Sequence, residues 1–178
     1  MGIEQLDAVL LDRDGTINVK PPEGEYVTRA DDLHLLPGAA EAIRRLNCAG
    51  VPVVVITNQR GIALGVMTEG CLDAVHDRLA SLLAASGARV DAIYHCPHEK
   101  GTCACRKPGT LLLERAKDDL GLQTLERAVM IGDSVSDVQA GRAAGARTVL
   151  LSPCGARPVA ADEVAGSLLE FVRTRVDT

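Results

Sequence analysis

Short apolar runs rich in β-branched residues alternate with helix-period patterns along almost the whole chain. Ala8–Leu11, Val51–Thr57, Asp91–His95, Ala128–Asp133 and Ala146–Leu151 read as strands. Pro37–Gly50, Thr68–Ser86, Gly109–Leu120 and Ser134–Ala144 read as helices between them, and Glu163–Arg175 as a final helix. Pro37 near the start and Gly50 past the end bracket the first helix. Leu72, Val75, Leu79, Leu82 and Leu83 share one face of the second. Successive parallel strands need crossovers, and these are right-handed. The alternation therefore predicts an α/β fold with a mostly parallel sheet covered on both faces. The 178 residues suit one domain, 1–178, with a sizeable core.

In such sheets ligands bind beyond the carboxyl ends of the strands. Those positions hold "DRDGT", "TNQ", a Cys/His-rich segment and "GDSVSD". Asp12 and Asp14 are two apart in an extended segment, so their carboxylates face one point. Such a pair suits Mg²⁺, or a nucleophile beside a separate acid/base, or simply a polar turn. Thr57 and Asn58 suit a phosphoryl oxygen and equally suit ordinary turn chemistry. Lys107 is either a cation at a phosphate or a surface lysine. Asp133 can complete a metal site, and Asp137 can brace it or cap the following helix.

The segment "HCPHEKGTCACRKPGT" holds three of the six cysteines and two of the four histidines. Cys96, His98, Cys103 and Cys105 form C-x-H-x4-C-x-C. Three thiolates and an imidazole make a closed tetrahedral Zn²⁺ site with no place for water, so its expected role is structural. Such a metal would supply the folding energy of a loop, 95–107, that has no core of its own. His95 is the rival ligand, but it ends a predicted strand. A reduced cluster without metal is the alternative.

Aromatic residues make up 2% of the chain, and the net charge is -5 with no basic stripe. Stacking platforms and a nucleic-acid footprint are therefore not expected. The N-terminal residues lack a signal-peptide pattern, and no apolar run approaches the length of a membrane span. A cytoplasmic monomer with no membrane or nucleic-acid partner is expected, and in that compartment clustered cysteines favour metal over disulfides.

Taken together, "LLDRDGT", "VITN", "RKP" and "IGDSVSD" resemble the four motifs of the haloacid dehalogenase superfamily, over about residues 8–151. The resemblance implies a Rossmann-like three-layer fold and a Mg²⁺-dependent phosphatase. It implies Asp12 as nucleophile, Asp14 as acid/base, and Thr57 and Lys107 on the phosphoryl oxygens. It also implies Mg²⁺ held by Asp12, the backbone carbonyl of Asp14 and Asp133, with Asp137 in support. The superfamily often inserts a cap domain, but the intervals between motifs leave no room for one here.

The zinc loop and "CRKP" resemble two branches, the D-glycero-D-manno-heptose 1,7-bisphosphate 7-phosphatases and the histidinol-phosphate phosphatases. "TNQRGIALGVMTE" and the pair Tyr26-Val27 resemble the heptose branch; the compact spacing from His98 to Cys103 looks more like the histidinol branch. The implied substrate is a small phosphorylated sugar, with Asn18, Asn58, Gln59, Arg60 and Arg106 as its candidate contacts. Arg60, Leu64, Val66, Met67 and Ser134 depart from the usual heptose pattern. A zinc-stabilised binding module without turnover is the reading from another class.

Overall fold

A computed structural model describes residues 2–154 and 160–176. Its centre is a six-stranded sheet in the order β3-β2-β1-β4-β5-β6. The strands are β1 (Ala8–Leu11), β2 (Val53–Asn58), β3 (Ala92–Cys96), β4 (Ala128–Gly132), β5 (Arg147–Leu151) and β6 (Glu163–Ala165). Every pairing is parallel. This order is that of a doubly wound Rossmann-like sheet.

The strand runs are continuous rather than alternating because both faces are covered. Val9, Leu11, Val53, Val55, Val129 and Ile131 pack on one side. There they meet α1 (Ala39–Cys48), α2 (Glu69–Ala84) and α5 (Leu168–Val176), through residues such as Ile43, Leu79 and Phe171. Ala8, Leu10, Val54, Ile56 and Met130 pack on the other side. Leu112 and Leu113 of α3 (Leu111–Asp119) and Ala140 of α4 (Val135–Ala143) cover them.

The predicted helix over Glu163–Arg175 is corrected. Its first three residues form β6, whose register pairs Leu150 with Val164. Asp162 fixes this entry by accepting bonds from the backbone N–H and hydroxyl of Thr148, at 2.8 and 2.7 Å. Glu-Val-Ala carries little strand propensity of its own, and pairing with a free sheet edge decides its conformation. The first helix begins at Ala39, one residue after Gly38, and not at Pro37. No helix among the described residues is long and apolar enough to cross a membrane.

β1 lies between β2 and β4, so the chain leaves β1 on one side and returns to β4 on the other. That divergence opens a crevice above the carboxyl ends of β1 and β4. The Asp12–Gly38 segment, the 59–68 loop and the 97–110 loop surround it, with no further sheet among them.

Candidate active site

Asp12 follows β1, Asp133 follows β4, and Asp137 lies in the first turn of α4. One carboxylate oxygen of each lies within 4.8 Å of the others. Asp137 is fixed by its helix. Its Oδ2 accepts from the Ser134 backbone N–H at 3.0 Å and from the Ser134 hydroxyl at 2.6 Å, a reciprocal capping box. Gly132 makes room for it, since a Cβ there would stand 2.1 Å from Asp137 Oδ2. Gly132→Ala is therefore expected to shift Asp137. Overpacking predicts a loss of about 1–3 kcal/mol in thermal stability, with activity falling at the same time. An alanine variant with unchanged melting and turnover would show that Asp137 can move without consequence.

Lys107 reaches this group from the far side of β2. Its Nζ lies 2.8 Å from Asp12 Oδ1 and 2.8 Å from Asp137 Oδ1, and it donates to the Ile56 carbonyl at 2.5 Å. Asn58 clamps the lysine backbone at both ends: Oδ1 accepts from Lys107 N–H at 3.0 Å and Nδ2 donates to Lys107 O at 3.2 Å. The Lys107–Pro108 peptide is cis. Burial would lower the lysine, but the two carboxylates outweigh it and raise its pKa. Burial pushes Asp12 up to about 7 against the pull of Lys107. Burial also raises Asp133, opposed by Lys20, whose Nζ lies 2.6 Å from Asp133 Oδ2.

Asp14 is held by three side chains. Arg13 donates from Nε to Oδ1 at 3.2 Å and from Nη2 to Oδ2 at 3.0 Å. Asn18 Nδ2 donates to Oδ1 at 2.8 Å, and Gln59 Nε2 to Oδ2 at 2.9 Å. Gln59 Nε2 also donates to Thr57 Oγ1 at 2.9 Å, so the hydroxyl and the acid/base candidate share one amide.

These partners place the expected substrate contacts differently from one another. Asn18 and Gln59 are fully buried and support Asp14 instead of facing the cleft. Arg60 turns toward the Cys/His loop and pairs with Glu99 at 2.9 Å, outside the cleft lining. Asn58 and Arg106 do line the cleft, a volume of about 680 Å³ whose floor holds Asp12, Asp14, Thr57, Lys107 and Asp133. Arg106 Nη1 is buried with no hydrogen-bond partner among the described residues. Lys20 and Lys100 stand on the same walls. Sequence reasoning passed over Arg13 and Lys20. A charged residue between two aspartates was a signal for Arg13, but no local pattern joins Lys20 to Asp133, 113 residues away.

The carboxylates fit a hard divalent cation. Asp133 Oδ1 is buried with no hydrogen-bond partner among the described residues, and the carboxylates of Asp12, Asp133 and Asp137 converge beside the ammonium groups of Lys20 and Lys107. The cysteine loop fits zinc. Cys96 Sγ lies 3.5 Å from Cys103 Sγ and 3.2 Å from Cys105 Sγ, and His98 Nδ1 lies 3.1 Å from Cys105 Sγ. Tetrahedral Zn–S bonds of about 2.3 Å would set sulfurs about 3.8 Å apart. None of the six cysteines is in a disulfide. Burial drives Cys96 up to about 12; at Cys103 burial acts in the same sense, but hydrogen bonds overcome it and bring the thiol down to about 6. A bound zinc would hold all three as thiolates and offset their mutual repulsion. His95 stands apart, bonded to Glu69 Oε2 at 3.0 Å.

A family model for haloacid dehalogenase-like hydrolases matches residues 3–145. The chain is 42% identical over 147 residues to the D-glycero-beta-D-manno-heptose-1,7-bisphosphate 7-phosphatase of Rhodopseudomonas palustris, covering 78% of this chain and 79% of that protein. It is 35% identical over 182 residues to the enzyme of the same name from Escherichia coli, covering 94% and 93%. Among solved structures, the D,D-heptose 1,7-bisphosphate phosphatase from B. bronchiseptica, complexed with magnesium and phosphate, superposes with a TM-score of 0.88. That protein is 31% identical, and the match covers 97% of this chain and 99% of that one.

Proposed function

The chain belongs to the haloacid dehalogenase-like hydrolase family, and from that premise we propose that it hydrolyses the C7 phosphate of D-glycero-D-manno-heptose 1,7-bisphosphate. The observation that carries the chemistry is the bridge from Lys107 to Asp12 beside the unpartnered oxygen of Asp133. Asp12 is held at the cleft floor as the nucleophile, and Lys107 stands where it can neutralise a phosphoryl oxygen. Asp12, Asp133 and the backbone carbonyl of Asp14 would hold Mg²⁺, with Asp137 in support. When bound, the ion offsets the repulsion between a carboxylate and a phosphate dianion and favours ionised Asp12.

Asp12 attacks phosphorus and forms an aspartyl-phosphate as the bond to the sugar oxygen breaks. Protonated Asp14 gives its proton to that oxygen. Asp14 then takes a proton from water as the water attacks the phosphorus and frees Asp12. The Thr57 hydroxyl and Lys107 hold the phosphoryl oxygens through both steps.

The substrate reading rests on the relatives' shared activity and on the cations along the walls. Arg106 and Lys100 line the same cleft as Asp12 and suit a second phosphate. The compact Cys/His loop supports a second reading, histidinol phosphate. Zinc on Cys96, His98, Cys103 and Cys105 is structural in this proposal, and the enzyme works as a cytoplasmic monomer of one domain, where thiolates stay available to metal.

The test is phosphate release with Mg²⁺ from both anomers of the heptose bisphosphate, beside histidinol phosphate. A heptose is expected to give the highest kcat/KM. A clear preference for histidinol phosphate would transfer the chain to the other branch. Asp12→Asn is expected to remove turnover on every substrate, and full activity in that variant would defeat the nucleophile assignment.

A further inference from the structure

Behind Asp14 lies a pair of side chains with no part in the chemistry above. Arg13 sits between the two aspartates in sequence, yet it is fully buried and is not part of the cleft lining. Its Nε and Nη2 form a fork on Asp14, with Nη2 also 3.1 Å from Oδ1. The third nitrogen, Nη1, lies 3.2 Å from His76 Nε2 on α2, 63 residues along the chain.

A guanidinium has donors only, so this contact is a hydrogen bond only if His76 Nε2 accepts. The ring proton must then sit on Nδ1. The surroundings agree. Burial first, and the Arg13 charge second, lower His76 to about 4 and keep the imidazole neutral. The neighbouring His95 ring, 6.1 Å away by centroids, is engaged with Glu69 instead.

The geometry matters because Arg13 and Asp14 are adjacent in the chain. Adjacent side chains can meet in many orientations, and a fork alone leaves the guanidinium free to swing with its carboxylate. A third contact from another element fixes the plane of the guanidinium, and with it the direction in which Asp14 presents its oxygens. Asn18 and Gln59 donate to the same carboxylate, whereas the contact with His76 comes through Arg13.

We infer that His76 is a positioning residue, which acts through Arg13 to aim the acid/base carboxylate of Asp14. The inference rests on the proposed role of Asp14 as proton donor. It assigns a function in turnover to α2, an element outside the four motifs.

The leaving group separates this role from general support of the fold. A sugar oxygen leaves only with a proton, whereas p-nitrophenolate leaves without one. His76→Leu, which removes the acceptor, is expected to lower kcat/KM on the sugar bisphosphate by about ten- to a hundredfold. On p-nitrophenyl phosphate the loss should be no more than about threefold, because the first chemical step then needs no acid. His76→Gln keeps an acceptor oxygen and should recover most of the sugar-phosphate activity. Equal losses on both substrates, or none on either, would overturn the positioning role. If another alkyl phosphate proves to be the better substrate, the same comparison is made with it, so an error in the sugar does not mask the result. The ring tautomer provides a readout independent of turnover. Nitrogen-15 NMR of the wild-type protein should find the His76 proton on Nδ1, and a proton on Nε2 would end the proposal whatever the kinetics show.

Discussion

Lys107→Met is expected to reduce phosphate release by at least about a hundred- to a thousandfold and to destabilise the protein by about 3–5 kcal/mol. The two effects have one cause. Lys107 is 3% exposed, and its ammonium joins Asp12, Asp137 and the Ile56 carbonyl. Methionine has nearly the same length and fills the same space, so packing changes little. What disappears is the positive charge between two buried carboxylates. Removing one partner of a buried charge group costs more than the group contributed, because the remaining charges lose their solvation twice over. In the proposed mechanism the same charge would face a phosphoryl oxygen.

The loss should depend on pH in a defined direction. Asp12 binds its proton more tightly in the folded chain, at about 7, than at its ordinary value of 3.8. Between those values the folded state carries the extra proton, so stability falls as pH rises through that window. Removing Lys107 takes away the one strong influence that lowers Asp12. The metal-free variant should therefore recover part of its stability at pH 5 and be weakest near pH 8. Denaturant titrations at the two pH values check this. A variant as stable as wild type at pH 8 would show that Lys107 does not neutralise the two carboxylates.

The sequence carried the strands and the candidate reacting groups for different physical reasons. β1, β2 and β4 are covered on both faces, and such strands must be apolar at every position. The carboxylates at Asp12 and Asp133 follow those runs directly, so locating the strand ends also locates the charges. Side-chain direction in the loops has no such signature. Asn18 and Gln59 lie in segments that border the cleft, but each amide is itself buried and turns to Asp14, which offers it a half-buried acceptor. Arg60 turns to Glu99 for the same reason, an acceptor brought near by the folded Cys/His loop. β6 was illegible because its three residues become a strand only through the edge that β5 offers.

The Cys/His cluster was legible because four ligand-type residues at short spacing suffice to bring it together, and it leads to the second large effect. Cys105→Ser is expected to lower bound zinc well below one ion per chain and to lower activity by about tenfold or more, although Cys105 touches no reacting atom. Cys105 is buried, and its sulfur lies 3.2 Å from that of Cys96 at the end of β3. Arg106 and Lys107 follow it directly in the chain. Zinc would thus tie the residue before Arg106 to the sheet, while Asn58 ties Lys107 on the other side. Structural zinc sites supply on the order of 10 kcal/mol to the segments they close. Without that energy, the 97–105 loop has few apolar contacts of its own to hold the cation over the cleft. A strong chelator should act like the substitution, lowering both melting temperature and turnover of the wild type. Added Zn²⁺ should restore both in the presence of Mg²⁺, but Zn²⁺ alone should not support turnover, because its site has no open position. Full loss of zinc with unchanged activity would mean that Asn58 and the carboxylates hold Lys107 unaided, and that the loop serves some purpose other than placing it.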